Sequence, residues 1–312
     1  MPELPDLTVY CEALRTRLRA ARLERARVLG VSFLRSVDPP LSAVEGRLVA
    51  DVQRLGKRVV IGFEQELFLV IHLMIAGRFR WKPRGAKPPG KICLATFEFS
   101  SGTLQVTEAG TKKRATLHVV RGRESLRAHD PGGLEVLECG LEDFRRALLK
   151  ENHTVKRALT DPHAFSGIGN AYADEVLHAA RLSPVTLTRR LNDAEIRRLF
   201  EATRATLSQW IDRLRSEAAD RFPEKVTAFR PGMAVHGRYR EPCPECGAPV
   251  QRIVHAENET NYCARCQTGG RVLADRSLSR LLKADWPRTL EEWEDRSSPG
   301  RPEPGRRGGA TS

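Results

Sequence analysis

The chain has 312 residues, of which 40% are hydrophobic. That is length enough for two or three separately cored units of a soluble protein. Its 52 Lys and Arg against 39 Asp and Glu leave a formal charge of +13. Such an excess calls for a polyanionic partner, because each phosphate met by a basic side chain releases condensed counterions. The most apolar stretch, residues 67–76, is too short to span a bilayer and contains His72. No hydrophobic run follows a basic leader, so no signal peptide is expected. Seven cysteines, four of them in a tight tetrad, suit a reducing cytoplasm, and a monomer without a membrane partner is the expectation.

The chain opens Met1-Pro2-Glu3-Leu4-Pro5-Asp6. A small second residue permits removal of Met1, which leaves Pro2 as an N-terminal secondary amine. Such an amine adds to an aldehyde or hemiacetal carbon and becomes an iminium, an electron sink for the next bond broken. Terminal amines titrate at roughly 7.7–8.0, so an appreciable fraction is neutral near pH 7. Glu3 lies beside it as a proton donor or acceptor. Leu7, Tyr10, Cys11, Leu14 and Leu18 then recur at helical spacing behind Pro5, which predicts a helix of about four turns. The positive end of that helix lowers the amine's pKa further.

Residues 25–120 read as an all-β sandwich or barrel, with strands over 59–63, 67–72, 92–99, 103–107 and 115–120. Lys57 precedes the first of these and is either a surface charge or a group that moves protons or holds a phosphate. Residues 82–91 read as an exposed loop. Helices are expected over 141–150, 154–160, 170–182 and 193–219. The turn Ser166-Gly167-Ile168-Gly169-Asn170 feeds the third of them. Its amides suit an ordinary helix cap or a phosphate, and after Lys156 and Arg157 a DNA phosphate is the better reading.

Cys243-Pro244-Glu245-Cys246 and Cys263-Ala264-Arg265-Cys266 place two thiolates on each of two knuckles. Four thiolates close a tetrahedral shell around one structural Zn²⁺, and residues 248–262 between them read as a β-hairpin. The other three cysteines, Cys11, Cys93 and Cys139, read as small buried hydrophobes. A helix is expected over 275–283, followed by Trp286 and Trp293 and a disordered tail over 295–312.

Pro2-Glu3-Leu4-Pro5, Lys57, the Gly167–Asn170 turn and the four-cysteine finger occur in this order. From Met1 to about Gln267 the chain resembles the formamidopyrimidine-DNA glycosylase and endonuclease VIII family. The resemblance implies an α+β multidomain fold. An N-terminal β-sandwich with flanking helix occupies 1–130, a helix-two-turn-helix domain 131–230, and a zinc-finger β-hairpin with an extension 231–294. It also implies a base-excision repair glycosylase and abasic-site lyase acting on damaged double-stranded DNA. Pro2 then attacks C1′, expels the base and forms the Schiff base; Glu3 protonates the sugar ring oxygen; Lys57 serves proton transfer and phosphate contact. Lys156, Gly169 and Asn170 match positions that hold phosphates around the lesion.

Three positions depart from the family pattern. Asn258 stands where the finger has an arginine, Ile75 where the intercalating methionine stands, and residues 108–114, with Lys112 and Lys113, replace the void-filling loop. A DNA-binding protein without catalysis, on the same scaffold, is the alternative these departures favour.

Overall fold

The computed structural model describes residues 1–227, 229–255, 258–273 and 288–292. The expected helix over 275–283, Trp286, Trp293 and the expected tail over 295–312 lie outside the described residues. The chain starts with α1 (Leu4–Leu18), with Pro5 in its first turn. The Glu3 amide donates to Asp6 Oδ2 at 2.9 Å, which satisfies one donor at the helix start. Leu7, Tyr10, Cys11, Leu14 and Leu18 form the buried stripe of this helix.

That stripe packs into a β-sandwich. Its strands are β1 (Leu23–Val28), β2 (Val49–Leu55), β3 (Arg58–Phe63), β4 (Leu67–His72), β5 (Gly77–Lys82), β6 (Cys93–Phe99), β7 (Gly102–Glu108) and β8 (Thr116–Arg121). One antiparallel sheet runs β1-β6-β7-β5, the other β2-β3-β4-β8. The five expected strands are β3, β4, β6, β7 and β8. The pattern did not single out β1, β2 and β5, and all three are edge strands. Their arginine-bearing sequences Leu-Glu-Arg-Ala-Arg-Val, Val-Ala-Asp-Val-Gln-Arg-Leu and Gly-Arg-Phe-Arg-Trp-Lys mark half-solvated edges rather than apolar runs. By contrast β3 and β4 are covered on both faces. Val59, Ile61, Leu69 and Ile71 point into the sandwich, while Val60, Phe68 and Val70 pack under Leu126 of α2 (Arg123–Arg127).

Next come α3 (Leu141–Leu149), α4 (Val155–Thr160), α5 (Asn170–Ala179) and the long α6 (Asp193–Ala218). Asn192 and Glu195 cap α6 reciprocally, each side chain accepting the other's amide at 2.9 Å. These helices enclose a second core that includes Phe144, Phe165, Tyr172 and Leu199, and also Leu4 from the chain start. The segment after α6 returns to the sandwich. Val226 joins the sandwich core and Phe222 packs 5.7 Å from Tyr10, centroid to centroid.

The third core belongs to the finger, whose hairpin pairs β9 (Val250–His255) with β10 (Asn258–Cys263) and runs into α7 (Ala264–Thr268). Val235, Val250, Tyr262 and Leu273 surround the cysteines. Among the described residues no helix is long and apolar enough to cross a membrane.

Candidate active site and zinc finger

The first residues are pinned where the sandwich and helical cores meet. The Leu4 amide donates to the Gly167 carbonyl at 2.9 Å while the Leu4 side chain sits in the helical core. Pro2 and Glu3 are buried. The Glu3 carboxylate accepts three backbone N–H groups at the start of α5: Gly169 at 2.8 Å, Ala171 at 3.0 Å and Tyr172 at 3.2 Å. These are donors that a helix leaves unsatisfied, and they carry the positive end of its dipole. Of the amides in the glycine turn, that of Gly169 is given to this carboxylate, together with those of Ala171 and Tyr172 in α5.

Glycine is required for that approach. A Cβ at Gly169 would lie 2.4 Å from Glu3 Cδ and 2.5 Å from its Oε1, whereas the Gly169 backbone (φ −127°) suits any residue. Gly169→Ala is therefore expected to displace the carboxylate without straining the backbone. Any reaction that uses Glu3 should slow toward the rate of a variant lacking its carboxyl, with the fold intact by circular dichroism. An unchanged rate would contradict the cradle.

Several charges converge on this junction. Burial pushes the Glu3 carboxyl above its ordinary range, while Lys57 and the amides of Ala171 and Tyr172 pull it back. Burial likewise pushes the terminal amine of Met1 below its ordinary value, opposed by Glu3 and Asp6 and reinforced by Arg78 and Lys57. Lys57 follows Gly56 (φ +59°) in the turn between β2 and β3, and burial lowers its ammonium against the pull of Glu3. Of its two sequence readings, the surface charge does not fit. Lys57 faces the junction and makes no hydrogen bond or ion pair among the described residues. His72, at the end of β4, is driven to about 4 by burial and by Arg58 and Lys57, so it is a neutral imidazole.

Several residues that sequence reasoning missed hold this geometry. Arg54 donates to the Gly56 carbonyl at 2.9 Å and to Ser166 Oγ at 3.0 Å, and pairs with Glu135. Ser166 in turn donates to Glu135 at 2.5 Å. This cluster ties the Lys57 turn to the glycine turn. Arg230 reaches Asp6 Oδ1 at 2.7 Å, locking the first turn of α1 to the segment before the finger. Arg78 donates to the Ile75 and Val226 carbonyls at 3.0 and 2.6 Å.

Lys156 and Asn170, expected to hold phosphates, converge on one carbonyl of the finger. Lys156 Nζ is paired with buried Asp174 at 2.5 Å and lies 3.4 Å from the Glu259 carbonyl. Asn170 Nδ2 donates to that same carbonyl at 2.7 Å. Glu259 follows Asn258, the first residue of β10, so these two side chains anchor the finger hairpin. Asp174 also accepts the Asn261 amide at 3.1 Å and contacts His236 Nδ1 at 2.8 Å. Ile75 is 55% exposed in the turn between β4 and β5. In the loop after β7, Lys113 Nζ caps the Glu108 carbonyl and the Glu108 carboxylate accepts the amides of Arg114 and Ala115, while Lys112 is exposed.

The four cysteines come together as their spacing requires. The sulfurs of Cys243, Cys246, Cys263 and Cys266 all lie within 4.8 Å of one another. Cys243 and Cys266 are 3.9 Å apart and Cys246 and Cys263 3.4 Å. A tetrahedron of ~2.3 Å Zn–S bonds has edges of about 3.8 Å, so the set fits one closed, structural zinc ion. Gln267 braces it, accepting the Cys263 amide at 2.8 Å and donating to the Leu182 carbonyl at 2.9 Å.

The arrangement defines a zinc-finger protein whose Pro2 and neighbouring Glu3 carboxylate are buried between a β-sandwich and a helical unit. Three family models match it in order: the formamidopyrimidine-DNA glycosylase N-terminal domain over residues 1–124, the formamidopyrimidine-DNA glycosylase H2TH domain over 135–220, and the zinc finger found in FPG and IleRS over 240–269. A formamidopyrimidine-DNA glycosylase of Thermus thermophilus is 33% identical over 288 residues, covering 86% of this chain and 100% of that relative. The crystal structure of the MutM (Fpg) protein from Thermus thermophilus aligns with a TM-score of 0.70 at 30% identity, over 85% of this chain and 98% of that one. Lactococcus lactis Fpg, in complex with DNA containing an abasic site, shares the fold with a TM-score of 0.75 at 23% identity, over 85% and 99% of the two chains. The chain belongs to the formamidopyrimidine-DNA glycosylase family.

Proposed function

We propose that this protein is a base-excision repair glycosylase with abasic-site lyase activity, acting in the cytoplasm as a monomer on damaged double-stranded DNA through a Schiff base at Pro2. The observation that carries this reading is the burial of Pro2 beside a carboxylate cradled by the start of α5. Kinship with DNA glycosylases supports it, as does the binding of abasic-site DNA by one of them. Residues 1–130 and 131–230 then form the two walls of a DNA cleft, and 231–294 a clamp.

With Met1 removed, the neutral Pro2 amine forms a bond to C1′ of the damaged nucleotide. The base departs with the electron pair of the glycosidic bond and takes up the proton that the nitrogen sheds. Glu3 gives its proton to the ring oxygen as the C1′–O4′ bond breaks, leaving an iminium between Pro2 and C1′. The iminium acidifies C2′. Loss of a C2′ proton forms the C2′–C3′ double bond and releases the 3′ phosphate, and a second elimination releases the 5′ phosphate. Lys57 serves proton transfer and phosphate contact beside Glu3. The base must leave the stack to be reached, at a cost of a few kcal/mol, and exposed Ile75 is the apolar wedge that fills its place. Lys112 and Lys113 meet the phosphate backbone; the side chain of Asn258, where the family pattern has a charge, lies outside what the structure describes.

The shifted groups set a pH dependence. Burial pushes the Met1 amine below its ordinary value of 8.0. The Pro2 nitrogen freed by removal of Met1 belongs to a residue buried at the same junction, so adduct formation on a preformed abasic site should reach half its maximum at a lower pH than the titration midpoint of an exposed N-terminal proline. A midpoint at or above that of a Pro-Glu-Leu peptide in borohydride-trapping kinetics would contradict the burial argument.

Strand cleavage of abasic, oxidised-purine and oxidised-pyrimidine duplexes, with end groups identified by gel mobility, tests the function as a whole. Cleavage of at least one is expected. Cleavage of none by zinc-loaded, methionine-processed protein would transfer the assignment to the binding-only scaffold.

A further inference from the structure

Helix α5 is anchored at both ends. Its first turn holds Glu3, and its last turn carries His178, whose Nε2 lies 3.3 Å from the sulfur of Cys243. Both residues are buried, at 5% and 2% exposure. A metal-bound thiolate only accepts hydrogen bonds, so the contact is favourable when the imidazole presents Nε2–H to it. Among the described residues the Cys243 sulfur has no other hydrogen-bond partner outside the thiol cluster. Cys263, on the other knuckle, instead receives the Cys266 amide at 3.5 Å.

The placement of His178 is well determined. Three residues earlier, Glu175 accepts the amides of Ala234, Val235 and His236 at 2.6, 2.9 and 2.9 Å, fixing this turn of α5 to the strand of chain that leads into the finger. A cavity of about 420 Å³ opens beside it, lined by His178, Cys266, Arg181, Trp210 and Arg213. The zinc shell therefore has two unequal sides. Cys266 borders open space, whereas Cys243 is sealed behind an imidazole.

We propose that His178 is an outer-shell positioning residue of the zinc site, donating from Nε2 to the Cys243 thiolate and so slowing loss of the metal. Drawing electron density from the sulfur makes it a poorer target for protons and electrophiles, and a fixed ring holds the sulfur at its vertex. The inference depends on the zinc shell alone and stands whether or not the protein excises bases.

Zinc-loaded, full-length protein tests it without DNA. His178→Phe keeps a ring and removes the donor, while His178→Gln keeps an N–H at similar reach. Zinc transfer to a chromogenic chelator is expected to be about 10- to 100-fold faster for the Phe variant and close to wild type for the Gln variant. In cobalt-substituted protein the sulfur-to-metal charge-transfer band should move to longer wavelength in the Phe variant and return in the Gln variant, which a packing role would not produce. Wild-type release with an unmoved band in His178→Phe would overturn the proposal. So would a Gln variant that loses zinc as fast as chelator can take it, even if the Phe variant fails to fold.

Discussion

Replacing Glu3 by Gln is expected to slow base excision by about 10²- to 10⁴-fold, the usual share of a positioned general acid. Two physical changes act together. The amide has no proton to give to the ring oxygen, and its NH₂ group points a donor at a cradle built of three N–H donors. Stability should not fall in step. Burial raises the Glu3 pKa, so the folded protein binds this proton more tightly than the unfolded chain, and the ionised carboxyl weighs against folding as pH rises above about 4.5. A neutral residue removes that penalty even as it loses acceptors. Single-turnover excision and thermal unfolding on the same preparation read the two effects apart. Covalent trapping on a preformed abasic site should suffer less than excision, since an abasic sugar opens to its aldehyde without a proton from Glu3. Wild-type excision by Glu3→Gln would remove the general acid from the account.

Zinc removal should have the largest structural effect. The finger core is small, built around Val235, Ala248, Val250 and Tyr262 with the cysteines themselves, and such a core does not hold a hairpin unaided. Structural zinc contributes roughly 10–16 kcal/mol of apparent binding energy in isolated fingers, far more than that core can replace. Melting the hairpin frees the Glu259 carbonyl from Asn170 and Lys156 and the Asn261 amide from Asp174. Hydrogen exchange after stoichiometric chelation should therefore show lost protection over 250–263 and weakened protection in α5, with the sandwich unchanged. DNA affinity should fall in parallel. Full protection of β9 and β10 in zinc-free protein would show that the thiols are not what holds the finger.

What the sequence revealed and what it hid have different physical origins. Pro2-Glu3 and the cysteine knuckles are legible because their chemistry lies in neighbouring residues. Strands β3 and β4 are legible because burial on both faces leaves continuous apolar runs. The edge strands β1, β2 and β5 escape because one face is solvated and carries arginine. Partnerships across the chain escape altogether: Asp6 meets Arg230 at a separation of 224 residues, and Arg54 meets Ser166 at 112. The glycine turn shows a subtler limit. Its pattern announces a site for an anion, and spacing alone does not distinguish a phosphate from the protein's own carboxylate. Lys156 is similar: it pairs with Asp174, a partner 18 residues away that no local pattern marks.

The claim beneath the whole account is that the nitrogen of residue 2 captures the sugar. Tandem mass spectrometry of the borohydride-trapped complex with an abasic duplex tests it most directly. The account predicts a reduced sugar remnant on the N-terminal peptide, carried by the Pro2 nitrogen, with Met1 gone. A remnant on Lys57 or any other lysine, or trapping by protein that still carries Met1, would contradict it.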